Sequence, residues 1–197
     1  MADRTPTPDE VREVVARVVA RHLAGDTGDA PGERPQDVAT DGDSLGTLAI
    51  GADHGGFALK ERLAADLRDR GYTVHDCGTR STDAVDYPDI AHEVAHQVAT
   101  GACRLGIVID GAGIGSAIAA NKVPGIRAAT CWDISSARNS REHNHANVLS
   151  LGAGLLGENL ARDIVYAWLS TTPGLDRHAR RVAKIGQLEA RYGTRPA

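Results

Sequence analysis

From Thr47 onward the chain alternates between short apolar runs and stretches whose apolar residues recur at helical spacing. The runs are TLAIGAD (47–53), TVHDCG (73–78), LGIVID (105–110), IRAATCW (126–132) and NVLSLG (147–152). Helical patterns fill the intervals at about 56–71, 88–101, 114–122, 134–143 and 157–170, and a last one covers about 176–192. Strands joined by helices of this length form parallel sheets covered on both faces. The pattern therefore predicts an α/β domain over 47–197, an open doubly wound, Rossmann-like parallel sheet of five strands with helices on both faces. In such sheets ligands collect outside the carboxyl ends of the strands, where the strand order reverses. That rule selects Asp53, His54 and Gly55, then Gly78 and Thr79, then Asp110 to Gly115, and Asp133.

The segment before this domain is of a different kind. In TPDEVREVVARVVARHLA (7–24), Val11, Val14, Val15, Val18, Val19, His22 and Leu23 fall on one helical face. Thr7, Pro8 and Glu10 supply a capping box with proline at the first helical position. Residues 25–46 are rich in Gly, Asp and Pro, with too little apolar surface to offset the entropy of ordering. Residues 1–24 thus read as an amphipathic helix and 25–46 as a flexible linker. The helix resembles the encapsulation peptides that direct enzymes into bacterial microcompartments, with a shell or cargo protein as partner. Packing on this protein's own dimer is the competing reading.

Charge and cysteine content exclude other classes. The formal charge is −4, with no basic stripe outside the C-terminal region, so no nucleic-acid partner is expected. No apolar run approaches the length of a membrane span, and the polar face of the 7–24 segment mixes Glu10 and Glu13 with its arginines, so no membrane partner is expected either. Cys77, Cys103 and Cys131 match no disulfide or metal spacing, which predicts a cytoplasmic protein without metal.

Four clusters carry chemistry. GADHGG places Asp53 and His54 on a tight turn entering a helix, suited to binding hydroxyls and an anion, although Asp53 alone would also serve as a helix cap. In DGAGIGS, Gly111, Gly113 and Gly115 let backbone amides converge beside Asp110 and a helix start, an arrangement for phosphate or an enediolate oxyanion. SREHNHAN gathers Arg141, His143, Asn144, His145 and Asn147, a denser polar set than packing asks for, with a histidine able to move protons between sugar oxygens. In GLDRHARRVAKI, Arg177 and Arg181 are four apart and could fork onto a phosphate, the alternative being an ordinary solvated face.

With GADHGGFALK, DCGT, VDYPDIA, GAGIGSAIAANKVPGIRAA, SREHNHANVLSLG and RHARR in order between Leu48 and Leu188, the chain resembles the family of ribose-5-phosphate isomerase B and galactose-6-phosphate isomerase. That resemblance implies a cofactor-free aldose–ketose isomerase of phosphorylated sugars, working through ring opening and a cis-enediolate. It also implies a homodimer or dimer of dimers with shared active sites, the C-terminal arginines serving the neighbouring subunit. Under it His143 matches the ring-opening histidine and Asn144 its neighbour. Asp53, His54 and Tyr87 match substrate-binding residues, and Arg177 and Arg181 match phosphate-binding arginines. This chain departs from the pattern where relatives carry a cysteine base (here Asp110), a threonine (Ala112), in another branch a glutamate base (Ser116), and a phosphate-contacting arginine (Gly154). Asp110 is therefore the expected base, with a pKa lifted towards neutrality by burial. A catalytically silent sugar-phosphate-binding or assembly protein is the competing reading.

Overall fold

The structure is a computed structural model describing residues 46–192. The predicted helix at 7–24 and nearly all of the predicted linker at 25–46 lie outside the described residues. Five strands form one sheet, β1 (Thr47–Ala52), β2 (Thr73–Asp76), β3 (Leu105–Asp110), β4 (Ala128–Thr130) and β5 (Val148–Gly152). All neighbours run parallel, in the order β2-β1-β3-β5-β4. Six helices alternate with and follow them: α1 (Phe57–Asp69), α2 (Tyr87–Ala99), α3 (Ile114–Ala120), α4 (Ile134–Asn144), α5 (Glu158–Ser170) and α6 (Arg177–Tyr192). Predicted strand 126–132 shortens to three residues because the Arg127 amide bonds the Asn147 side chain before the ladder begins.

The central strands are apolar but for Ser150 in β5, Asp110 at the end of β3 and Thr47 at the start of β1, because both faces are covered. Leu48, Ile50, Leu105, Ile107, Ile109, Leu149 and Leu151 meet α1 and α5 through Leu59, Leu63, Leu67, Ile164, Val165 and Trp168. Alternate residues Ala49, Val108 and Val148 meet α2 and α3 through Ala91, Val94, Ala95 and Ala120. A side chain on Gly51 would come within 2.8 Å of both Ile90 and Val94, so the glycine is what lets α2 lie against the sheet.

Strand order places the site. From β1 the chain moves outward to β2 and then returns across β1 to β3, so the reversal lies between β1 and β3. There the Asp53 amide bonds the Ile109 carbonyl at 3.1 Å, and the two strand-end loops abut around Gly55 and Gly111. The polarity of the helices matters equally. The helices α1 to α5 begin at the carboxyl ends of the strands and run back, so the last turn of α4, with His143, reaches the amino end of β5, and α6, which follows α5 directly, starts at that same end.

Candidate active site

At the carboxyl ends, Asp53 closes β1 and is nearly buried. Its Oδ1 accepts the Gly56 amide at 2.9 Å, which orders the entry to α1, while no protein donor among the described residues takes Oδ2. Asp53 thus caps the turn through one oxygen and leaves the other without a donor among the described residues. His54 is exposed, and the Val85 amide donates to its Nδ1 at 3.4 Å. That bond assigns the proton of the neutral ring to Nε2, which is then a donor. Tyr87 opens α2 and lays its ring over the glycine loop, where a side chain at Gly115 would approach it to 2.7 Å. Asp53, His54, Tyr87 and the Asp110–Gly115 loop therefore belong to one neighbourhood.

Within that loop the amides expected to await an oxyanion are engaged by Asp110. The Ala112 amide donates to its Oδ1 at 2.8 Å, the Gly113 amide donates to the same oxygen, and the Ser116 amide donates to Oδ2 at 2.9 Å. Burial by itself would raise this carboxyl's pKa, but the Ser116 side chain and the amides of Ser116, Gly113 and Ala112 outweigh it and leave the pKa below the ordinary value. The expectation of a pKa near neutrality is thereby reversed: a carboxylate sitting in a nest of donors becomes a weaker base and stays ionised. The buried Ser116 hydroxyl lies against Asp110 without completing a hydrogen bond of standard geometry.

The loop is held from behind by residues the sequence reading passed over. Thr130 and Ser150 hydroxyls both donate to the Gly113 carbonyl, at 2.7 and 2.6 Å, and the only sign of this in the sequence was a hydroxyl inside each apolar run. Gly113 has φ +77°, and a Cβ there would lie 2.8 Å from the Leu151 backbone, so glycine is required twice over. Gly154 donates its amide to the Gly111 carbonyl at 3.0 Å, and any side chain there would begin 2.9 Å from the same oxygen. Asp133 leaves the shortlist: it caps α4 through a reciprocal box with Ser136, accepting its amide at 2.7 Å.

The SREHNHAN cluster divides into structural and exposed residues. Arg141 is buried, donates to the Ala146 carbonyl at 2.6 Å and stacks its guanidinium over Trp168. Asn147 bridges Arg127 and Gly125 at the start of β4, and His145, in the left-handed conformation, bonds the Gly174 carbonyl. His143 and Asn144 remain. Asn139, a residue the sequence reading missed, pairs its Nδ2 with His143 Nδ1 at 2.8 Å and also accepts from Asn144. With Nδ1 accepting, the neutral ring carries its proton on Nε2.

His178 was also missed, although it stands inside RHARR. Its ring stacks on His143 with centroids 4.2 Å apart and 12° between planes, and Arg177 Nε donates to it at 3.2 Å. Desolvation, with His143, Arg177 and Arg181 around it, lowers its pKa. Arg177 and Arg181 are exposed and form no ion pair among the described residues. His143, Asn144, Arg177 and Arg181 thus form a second neighbourhood at the amino ends of the strands. One chain does not bring it to Asp53, His54, Tyr87 and Asp110 at the carboxyl ends. Among the described residues no helix is long and apolar enough to cross a membrane.

Comparison with known proteins matches residues 48–185 to the Ribose/Galactose Isomerase family model. The ribose-5-phosphate isomerase B of Escherichia coli K12 is 46% identical over 144 residues, covering 73% of this chain and 97% of that protein. The D-erythrulose-4-phosphate isomerase of Pectobacterium atrosepticum is 42% identical over 144 residues, covering 73% of this chain and 95% of that protein. The solved structure of Clostridium thermocellum ribose-5-phosphate isomerase B is 53% identical, with a TM-score of 0.73 over 74% of this chain and 99% of that one.

Proposed function

The chain belongs to the ribose/galactose isomerase family, and on that premise we propose that it interconverts ribose 5-phosphate and ribulose 5-phosphate at sites shared between two copies. It is an aldose–ketose isomerase acting on a phosphorylated sugar. In the proposed reaction His143 Nε2–H gives its proton to the ring oxygen as the bond from that oxygen to C1 breaks, the anomeric hydroxyl releases its proton to solvent, and the open aldose forms while His143 regains a proton from solvent. Asp110 then takes the C2 proton, the electron pair moves onto the C1 oxygen to form the cis-enediolate, a proton passes from the C2 hydroxyl to the C1 oxygen, and Asp110 returns its proton at C1 to give the ketose. Asp53, His54, Tyr87 and Asn144 hold sugar oxygens, while Arg177 and Arg181 hold the phosphate. Gly111, Gly113 and Gly115 let the loop backbone approach the substrate closely, while its Ala112, Gly113 and Ser116 amides hold Asp110 in place.

The observation that carries this reading is the division of the site residues between opposite ends of one sheet. A two-fold pairing would bring the carboxyl-end group of one copy to the amino-end group of another. Helix α6 supports such a pairing, since it has no buried residue and exposes Ile185, Leu188 and Tyr192 along one face. The test is subunit complementation. Asp110→Asn and His143→Ala should each be inactive alone. Unfolded together and refolded, they should recover about a quarter of normal activity, because half the dimers are hybrids with one intact site each. Failure to recover activity in verified hybrids would sink the shared site.

The name of the Pectobacterium relative makes a tetrose phosphate the first competitor in a substrate panel. The saturated hydrogen bonding of Asp110 favours one other reading, a silent binder. Hydrogen exchange at C2 in deuterated water separates the two, since only an isomerase exchanges. Residues 7–24 are proposed as the address for a microcompartment shell or cargo protein, supported by their capped amphipathic pattern alone. A chain lacking residues 1–45 should then keep full turnover.

A further inference from the structure

Beside the carboxyl-end group but sharing no residue with it, three metal-ligating side chains converge at the open edge of the sheet. His75 and Cys77 stand two apart at the end of β2, an edge strand, so strand alternation projects both to the same side. Glu93 reaches them from α2. The His75 ring nitrogen, Cys77 sulfur and Glu93 carboxylate oxygen all lie within 4.8 Å of one another. His75 is exposed, and Cys77 and Glu93 are half-buried, so the cluster has a protein wall and a solvent side.

The one hydrogen bond between these described residues is local, the Cys77 thiol donating to the His75 carbonyl at 4.0 Å. Among the described residues no hydrogen bond or ion pair joins any two of the three side chains. Glu93 Oε1 instead accepts from Gln97 Nε2 at 2.7 Å, the outer contact that orients a ligating carboxylate. The neighbouring carboxylate, Asp76, is committed elsewhere: Lys60 reaches both its oxygens, at 2.8 and 2.7 Å, and the Gly78 amide also donates to it. In a tetrahedral zinc site with bonds of about 2.0–2.3 Å, ligand atoms stand roughly 3.3–3.8 Å apart. Metal binding would draw the three, which lie within 4.8 Å of one another, into that range.

We propose that His75, Cys77 and Glu93 form a binding site for a divalent transition metal of the zinc class, with water at the fourth position. Imidazole, thiolate and carboxylate together select zinc or cobalt over magnesium or calcium, which take oxygen alone. The ion fastens the edge strand to α2, the helix whose first residue, Tyr87, overlies the glycine loop. The sequence concealed the site because its third ligand comes from the next helix.

The test uses the full-length, metal-free protein kept reduced. Titration with cobalt(II) should saturate at one equivalent per chain and develop a thiolate-to-cobalt charge-transfer band that zinc abolishes on displacement. Cys77→Ser should remove the band, and His75→Ala and Glu93→Gln should weaken cobalt binding at least about tenfold. Because His75 is exposed, its replacement should remain folded even if the Cys77 variant does not. Absence of the band, or equal affinity in the His75 and Glu93 variants, would overturn the proposal. Sugar-phosphate isomerisation, assayed separately, reports on the other reading independently.

Discussion

Replacing Asp110 by asparagine separates the two roles the structure allows that residue. The carboxylate satisfies three loop amides, two on Oδ1 and one on Oδ2. Asparagine keeps a neutral oxygen for Ala112 and Gly113, each bond losing about 1 kcal/mol of charge assistance. Its amide nitrogen then faces the Ser116 N–H, and an unmet buried donor costs about 1–3 kcal/mol. The variant should therefore lose about 3–5 kcal/mol in urea unfolding, which a domain holding about 5–15 kcal/mol survives. Removing a general base costs a further factor of about 10²–10⁴ in kcat, and that loss must appear per folded molecule. Turnover of ribose 5-phosphate, normalised to the native fraction measured by circular dichroism, reads the second effect free of the first. A normal kcat per folded molecule, with stability reduced by about 3–5 kcal/mol, would show that Asp110 only anchors the loop, and the proposed proton transfer would fail.

The remaining predictions concern the charges that hold the sheet ends together. Lys60 is fully buried, and Asp76 holds it at 2.7 Å while Glu61, its other partner, is half exposed. Because Glu61 still reaches Lys60 at 2.8 Å, Asp76→Ala should cost about 1.5–3 kcal/mol in urea unfolding, the worth of a charge-assisted hydrogen bond, with kcat unchanged in the folded fraction. For Asp76, burial opposes ionisation, but the Lys60 hydrogen bond, the Gly78 amide and the charges of Lys60 and Arg80 outweigh it, so its folded pKa lies below the ordinary value, as does that of Asp110. The stabilisation from both groups is complete above the unfolded carboxylate pKa of about 3.9 and is lost as pH falls through their lower folded values. Acid unfolding should consequently begin below about pH 4 and flatten in Asp76→Ala. The kcat profile should carry no limb from Asp110 at any higher pH.

The architecture was legible because each rule it obeys is local. Parallel strands covered on both faces must be apolar at every position, so 47–53 and 105–110 announce themselves as runs, and the helices by their period. A loop that needs glycine at positive φ shows its glycine, as at Gly113. Local chemistry likewise marked Asp53 and Asp110 as strand-end carboxylates.

What depends on distant partners was hidden. The sequence shows a carboxylate beside converging amides, but only the folded loop decides that the amides turn onto that carboxylate and make it a weaker base rather than a stronger one. Five polar residues in SREHNHAN look alike in one dimension, yet packing buries Arg141 under Trp168 and leaves His143 outside beside His178. Strand order also belongs to the tertiary structure: it sets β1 beside β3 and joins Asp53 to the Asp110 loop, while the return run of α4 takes His143 to the far end of the sheet. Periodicity and turn chemistry are properties of neighbours in the chain, whereas a carboxyl's proton affinity and a site's completeness are set by groups that only folding brings within a few ångströms.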